Sequence, residues 1–173
     1  KPLVALQGLE KGIIDEYTSI YSPLEVCVWN RFAAKNECFR DWTFHGKSDV
    51  KRDIAESVNT FFYIIGGGYE NRQGLGPANI KEILEKFGWN QKTGIDLFGE
   101  GRGVLPDINE QWRLGDTYHL SIGQGPFSVT PLQVASAFGA ITNRGTLLQP
   151  QMVRQIVDAQ KNVIQEFLSR VIQ

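Results

Sequence analysis

Gly76-Pro77 opens a segment in which Ile80, Ile83, Leu84 and Phe87 recur at i, i+3, i+4 and i+7, and Gly88 closes it. That spacing lines one face of a helix with apolar side chains, so the rest of the chain has to supply a core for that face. Proline suits the first helical turn, where its missing N–H costs no bond, and glycine suits the position past the last turn. The same punctuation frames other helices. Residues 1–11 carry Leu3, Leu6 and Leu9 on one side, with Pro2 in the first turn and Gly12 as a stop. From Ser48-Asp49, either of which can cap, Val50, Ile54, Val58, Phe61, Phe62 and Ile65 keep helical spacing as far as Gly66-Gly67-Gly68, so periodicity alone draws one helix there. Thr130-Pro131 reads as N-cap and N1 of a helix with Val134, Ala137, Phe138 and Ile141 on one face and Gly145 past its end.

Between these helices the pattern changes. Residues 20–47 are aromatic and turn-rich, with Ser22-Pro23 and His45-Gly46 as punctuation, which predicts short strands and loops. Residues 89–129 are glycine-rich with few periodic apolar runs and predict a long, mostly irregular crossing segment, a length that itself suggests a functional role. Gln151–Val157 and Val163–Phe167, separated by Asp158-Ala159-Gln160-Lys161-Asn162, predict a hairpin. There is no internal repeat or low-complexity tract. Helices first and a hairpin last imply an α+β arrangement whose remaining strands lie outside this chain.

At 173 residues with 42% hydrophobic and 21% charged residues, the chain has the makings of one globular domain. A net charge of −1 gives no electrostatic reason to expect nucleic acid as a partner. No apolar run is long enough to span a membrane, and residues 1–20 lack the regions of a signal peptide. The chain opens on Lys1 and enters a helix at once, so a start inside a domain is expected. Cys27 and Cys38 stand in a stretch with Trp29, Phe32, Phe39 and Trp42; a short-loop disulfide and two separate thiols are both open readings. No zinc-type ligand set accompanies them, and neither metal nor cofactor is expected.

Serine acyl transfer needs a hydroxyl nucleophile, a base within hydrogen-bond reach and donors aimed at the oxyanion. Ser57-Val58-Asn59 interrupts an apolar helical face with a hydroxyl and an amide two residues apart, able to relay a proton and hold a substrate amide; alone, so short a motif reads as a polar patch at a helix kink. Lys92-Thr93-Gly94 spells a K-T-G triad, but it comes after a helix and leads into loop-like sequence, whereas the catalytic triad belongs on a strand edge. His45 and His119 have no G-x-S-x-G neighbourhood and read as structural. Asp49, Asp53 and Glu56 read as helix-start charges in preference to a metal site, and Gly123-Gln124-Gly125 as backbone packing.

In order, these pieces resemble one family. Lys1-Pro2-Leu3-Val4-Ala5-Leu6 looks like the lysine of an S-x-x-K box and the apolar helix on its C-terminal side; His45-Gly46 and the run from Asp49 through Ser57-Val58-Asn59 to Tyr63 look like the helix entering an S-x-N box and the aromatic helix after it. Phe87-Gly88 with Thr93-Gly94-Ile95-Asp96-Leu97, Ser121-Ile122-Gly123-Gln124-Gly125 with Val129-Thr130-Pro131-Leu132-Gln133, and Ala140-Ile141-Thr142-Asn143 with Gly145 continue the likeness. The chain is identified as similar, over residues 1–167, to the transpeptidase domain of class B penicillin-binding proteins of the elongation type. The resemblance implies a partial penicillin-binding-protein transpeptidase, serine β-lactamase-like fold, α+β and mainly its helical part, with residues 1–173 as one incomplete domain and 168–173 unplaced. It also implies a break near Ser57–Asn59.

For function, the resemblance implies a peptidoglycan D,D-transpeptidase working on stem peptides and trapped by β-lactams, in a parent anchored in the inner membrane with this domain on its outer, periplasmic face. Cell-wall elongation proteins are the implied partners. Carried over by residue, Lys1 is the base, Ser57 the proton relay and Asn59 the substrate-amide contact. The nucleophilic serine falls three positions before Lys1 and the K-T-G strand beyond Gln173, so this chain alone is expected to be inactive. A β-lactamase or β-lactam-sensor relative and a non-catalytic module of the cell-wall machinery are the alternative readings.

Overall fold

A computed structural model describes residues 1–30 and 33–173, and Phe32 of the aromatic stretch lies outside them. The elements run α1 (Pro2–Glu10), β1 (Ser19–Ser22), β2 (Glu25–Asn30), β3 (Lys35–Arg40), β4 (Gly46–Asp49), α2 (Val50–Ala55), α3 (Asn59–Gly67), α4 (Gly76–Lys86), α5 (Leu114–Ser121), α6 (Pro131–Thr142), β5 (Gln155–Val157) and β6 (Val163–Glu166). They form two compact units. One comprises residues 1–83 and 107–125, the other 84–106 and 126–173.

The first unit is built on α3. Phe61, Phe62 and Ile65 are fully buried in it, each contributing about 1.5–3 kcal/mol through its apolar surface. The glycines at the end of α3 are there for packing as well as termination: a Cβ on Gly66 would lie 1.8 Å from Ser121 Oγ, and one on Gly67 2.5 Å from the Tyr118 ring, both on α5. The Tyr118 hydroxyl donates to the Gly68 carbonyl at 2.6 Å. Phe39 of β3 meets Tyr118 and Tyr63 edge-on, with ring centroids 5.0 and 5.9 Å away. On α1 the buried side chains are Leu3, Val4, Ala5 and Gln7, whereas Leu6 and Leu9 are about two-fifths exposed, so of the leucine stripe read from sequence only Leu3 lies on the core face. The face that turns inward includes Gly8, beside Ile14 and Ile65, where the lack of a side chain allows close approach.

Two-stranded antiparallel pairs complete this unit. β1 pairs with β4, and β2 with β3 in a register that sets Cys27 directly opposite Cys38. The two sulfurs form a disulfide, which resolves the alternative left open by sequence.

α5 corrects the expectation of an irregular stretch over 89–129. Its sequence, Leu-Gly-Asp-Thr-Tyr-His-Leu-Ser, is poor in strong helix formers, and its inward residues are Thr117, Tyr118, Leu120 and Ser121. Packing against α3 stabilises it where propensity does not. Asp116 Oδ2 accepts the Arg113 N–H at 2.8 Å, satisfying a first-turn donor.

In the second unit, Thr130 caps α6 and Pro131 begins it, as the sequence predicts. The buried residues of α6 are Gln133, Ala137 and Ala140, while Phe138 is half exposed. Gln133 displaces the expected aliphatic face because its amide is fully used: Nε2 donates to the Gln91 and Arg102 carbonyls at 2.7 and 2.8 Å, and Oε1 accepts the Thr130 N–H at 2.8 Å. The β5–β6 hairpin forms, shorter than predicted, and the last residues pair back through a Leu148–Val171 bridge.

Candidate active site

The helix predicted over residues 50–65 is broken, and the break is where the candidate chemistry sits. After α2, Glu56 keeps helical dihedrals, Ser57 turns left-handed at φ 55°, and Val58 is extended at φ −62°, ψ 125°. Ser57 N–H donates to Ile54 O at 3.3 Å and Val58 N–H to Asp53 O at 3.0 Å, the two bonds of a helix-terminating Schellman motif. α3 then starts at Asn59, so Ser57 and Asn59 flank a buried Val58 anchor.

Lys1 reaches this turn from the start of α1. Its Nζ donates to Ser57 O at 2.6 Å, Ser57 Oγ at 2.9 Å and Asn59 Oδ1 at 2.6 Å, which uses all three ammonium protons. The Phe62 ring lies beneath, 5.8 Å from Nζ. Burial holds the Lys1 ammonium below the ordinary lysine range, and the Asp41 carboxylate acts in the opposite direction. A partly desolvated lysine touching a hydroxyl can exchange a proton with it, which is the chemical competence of this cluster.

The other residues singled out by sequence have local partners of their own. Thr93 and Gly94 lie in a loop, where the Thr93 hydroxyl and N–H and the Gly94 N–H donate to Glu100; the triad is not on a strand. His45 is buried, with Nδ1 3.0 Å from Glu56 Oε2, and His119 packs edge-on against Phe39. Asp49 caps α2, accepting the Lys51 and Arg52 N–H groups at 3.0 Å each. Asp53 accepts the Ser48 hydroxyl at 2.6 Å, and burial pushes its carboxyl up to about 6. Gly123 and Gly125 take positive φ in the turn after α5.

One residue at this turn carried no signal in the sequence. Asp41, beyond β3, accepts the N–H groups of Asn59 and Thr60 at 2.7 and 2.8 Å. Its partners stand 18 and 19 positions downstream, too far for any periodic pattern to join them.

A lysine facing an S-x-N turn between two helices, inside a mixed helix-and-strand body, defines a class that comparison with known proteins identifies. The family model described as penicillin binding protein transpeptidase domain matches residues 1–170, and the chain belongs to that family. Within it, the similarity is to penicillin-binding protein 2. The chain is 35% identical over 163 residues to peptidoglycan D,D-transpeptidase MrdA of Acinetobacter baumannii, covering 89% of this chain and 23% of that protein. It is 31% identical over 172 residues to the MrdA of Escherichia coli K12, covering 94% and 26%. Penicillin-binding protein 2 of Helicobacter pylori, in a structure of its complex with MreC, superposes with a TM-score of 0.74 at 36% identity, covering 87% of this chain and 28% of that one. The fold is therefore a part of the transpeptidase-domain fold, and the chain spans about a quarter of the length of the curated relatives it matches.

No helix among the described residues is long and apolar enough to cross a membrane.

Proposed function

We propose that this chain is the S-x-N-bearing part of a peptidoglycan D,D-transpeptidase, and that Lys1, Ser57 and Asn59 serve one acyl-transfer centre. The observation that carries the reading is the convergence of Ser57 O, Ser57 Oγ and Asn59 Oδ1 on Lys1 Nζ within 2.9 Å. In the intact protein the nucleophile is a serine three positions before Lys1. Neutral Lys1 takes the proton of that hydroxyl as its oxygen attacks the carbonyl between two D-alanines of a stem peptide. The resulting ammonium is held by the three acceptors. Lys1 then returns that proton to Ser57 Oγ as Ser57 passes its own to the departing D-alanine nitrogen, and the acyl–nitrogen bond breaks to leave an ester on the serine with Lys1 neutral again. An amine from a neighbouring stem peptide then attacks the ester, loses its proton along the same path and restores the serine. Asn59 hydrogen-bonds the substrate amide, and a β-lactam takes the first half of this path and stops at the ester.

The intact protein is accordingly anchored in the inner membrane with this domain on the outer face, and binds elongation partners of the kind seen with the Helicobacter relative. The chain of residues 1–173 alone is inert. Intact-mass measurement after exposure to a penicillin tests this reading. The intact protein is expected to gain one adduct on the serine before Lys1, and residues 1–173 none. An adduct on Ser57, or no adduct on the intact protein, overturns the assignment.

A further inference from the structure

α3 begins without a cap of its own. Its N-cap residue, Val58, has no side-chain acceptor, so the first N–H groups of the helix must find a partner elsewhere. They find it in Asp41, a residue only 4% exposed. Its Oδ2 accepts Asn59 N–H at 2.7 Å, Thr60 N–H at 2.8 Å and the Thr60 hydroxyl at 2.9 Å, while Oδ1 accepts Trp42 N–H at 2.9 Å. A carboxylate at a helix N-terminus also meets the positive end of the helix dipole.

The other end of the turn is held by His45, whose Nε2 stands near Asp41 but beyond hydrogen-bond distance. Asp41 Oδ1 lies 3.7 Å from His45 Nε2, and His45 Nδ1 is 3.0 Å from Glu56 Oε2, with Glu56 immediately before Ser57. Arg52 Nε donates to the second oxygen of Glu56 at 2.7 Å. The left-handed backbone of Ser57 thus lies between two ends that are each held from outside the motif.

We infer that Asp41 is a positioning residue for the Ser57–Asn59 box, fixing the turn in which Ser57 Oγ and Asn59 Oδ1 face Lys1. This rests on the proposed acyl-transfer role of the box. Asp41 makes no hydrogen bond to Lys1, Ser57 Oγ or the Asn59 side chain; it acts through the backbone of Asn59 and Thr60. Its charge also reaches Lys1. From the turn and α3, Lys1 faces Ser57, Asn59 and the Phe62 ring, none of them charged, and from the segment after β3 it feels the Asp41 carboxylate, which works against the lowering by burial. Removing that charge lets the lysine become neutral at lower pH.

The experiment uses the intact protein, with Asp41→Asn, Asp41→Ala and Thr60→Val variants, and tracks the acylation rate by a fluorescent penicillin across pH. Asp41→Ala is expected to lose at least about tenfold in rate, since small misplacements of catalytic groups cost up to about a hundredfold. Asp41→Asn keeps an acceptor oxygen but no charge, and its acid limb is expected at lower pH than in the unaltered protein. Thr60→Val, which removes one bond to Asp41, is expected to slow acylation severalfold with the limb unmoved. Hydrogen exchange at the Asn59 and Thr60 amides is expected to quicken in Asp41→Ala. A merely structural aspartate would reduce how much protein labels, without changing rate or pH midpoint. If Asp41→Ala does not fold, the other two variants decide. Folded Asp41→Asn and Thr60→Val proteins with the unaltered rate and acid limb overturn the inference while leaving the proposed function standing. Failure of the unaltered protein to label overturns both.

Discussion

Gly12 and Ser57 occupy the same position of the same helix-ending motif, at φ 69° and φ 55°, one after α1 and the other after α2. In each, the residue's own N–H bonds back to a carbonyl three residues earlier, and the next N–H to one five residues earlier. Glycine enters this left-handed region without steric cost, whereas a serine there is strained by about 1 kcal/mol or more. At the second site the strained residue is the one whose hydroxyl meets Lys1.

Ser57→Gly should therefore separate stability from activity. Relief of strain, less one lost hydrogen bond, predicts a change within about 1 kcal/mol of zero or towards greater stability. Acylation of the intact protein by a β-lactam should fall by about 10²–10⁴, the usual contribution of a positioned proton relay. Denaturant unfolding and stopped-flow acylation measure the two sides; a large loss of stability would contradict the strain account.

Lys1 should reveal its depressed titration in the pH profile. Because burial favours its neutral form, the acid limb of acylation should lie below the ordinary lysine value of about 10.4. Lys1→Met should abolish that limb together with at least about two orders of magnitude of rate, while Lys1→Arg, always charged, should not rescue it.

Asp53 should make stability fall as pH rises through the weakly acidic range. Its carboxyl is raised by burial from 3.8 to about 6 in the folded protein. The folded state then binds the proton more tightly than the unfolded one, so this contribution is fully present below about pH 4 and lost as pH passes about 6. Asp53→Asn should remove this slope and raise stability at neutral pH by on the order of 1–3 kcal/mol relative to the unaltered protein, as read from unfolding curves at several pH values.

Gly66→Ala should destabilise by about 1–3 kcal/mol, because the new methyl would meet Ser121 Oγ at 1.8 Å and Cβ at 2.7 Å on α5. Pairing it with Ser121→Gly should recover part of the loss, since the crowding atoms are then gone. Thermal melts of the single and double variants check this.

Reducing the Cys27–Cys38 bond, or replacing both residues by serine, should cost about 2–3 kcal/mol for a loop of this size. Unfolding in the presence and absence of dithiothreitol measures the cost, and non-reducing peptide mapping should recover both cysteines in one linked fragment.

Legibility in the sequence tracked the range of the interaction. Ile80, Ile83 and Leu84 of α4, and Phe87 just past its end, are buried as their spacing predicts, because a strong periodic pattern with glycine and proline punctuation is local information. Thr130-Pro131 at the head of α6 is legible for the same reason. α5 was hidden because its stability comes from Gly66, Gly67 and Phe39, residues remote in the chain. The break at Ser57 was invisible to periodicity because a serine stands where the motif ordinarily shows glycine; only the family resemblance implied it.

By itself, then, the sequence determined the frame of α4 and the start of α6, the α+β order and, through its ordered motifs, membership of the penicillin-binding transpeptidase family. It also supplied the letters of Lys1, Ser57 and Asn59. Tertiary structure alone decided that these three meet within hydrogen-bonding distance, that Cys27 and Cys38 are joined, and that Asp41 caps a helix it does not belong to. The physical reason is that each of these relationships is closed by contacts between segments 11 to 58 positions apart, and no local rule of spacing or propensity reaches that far.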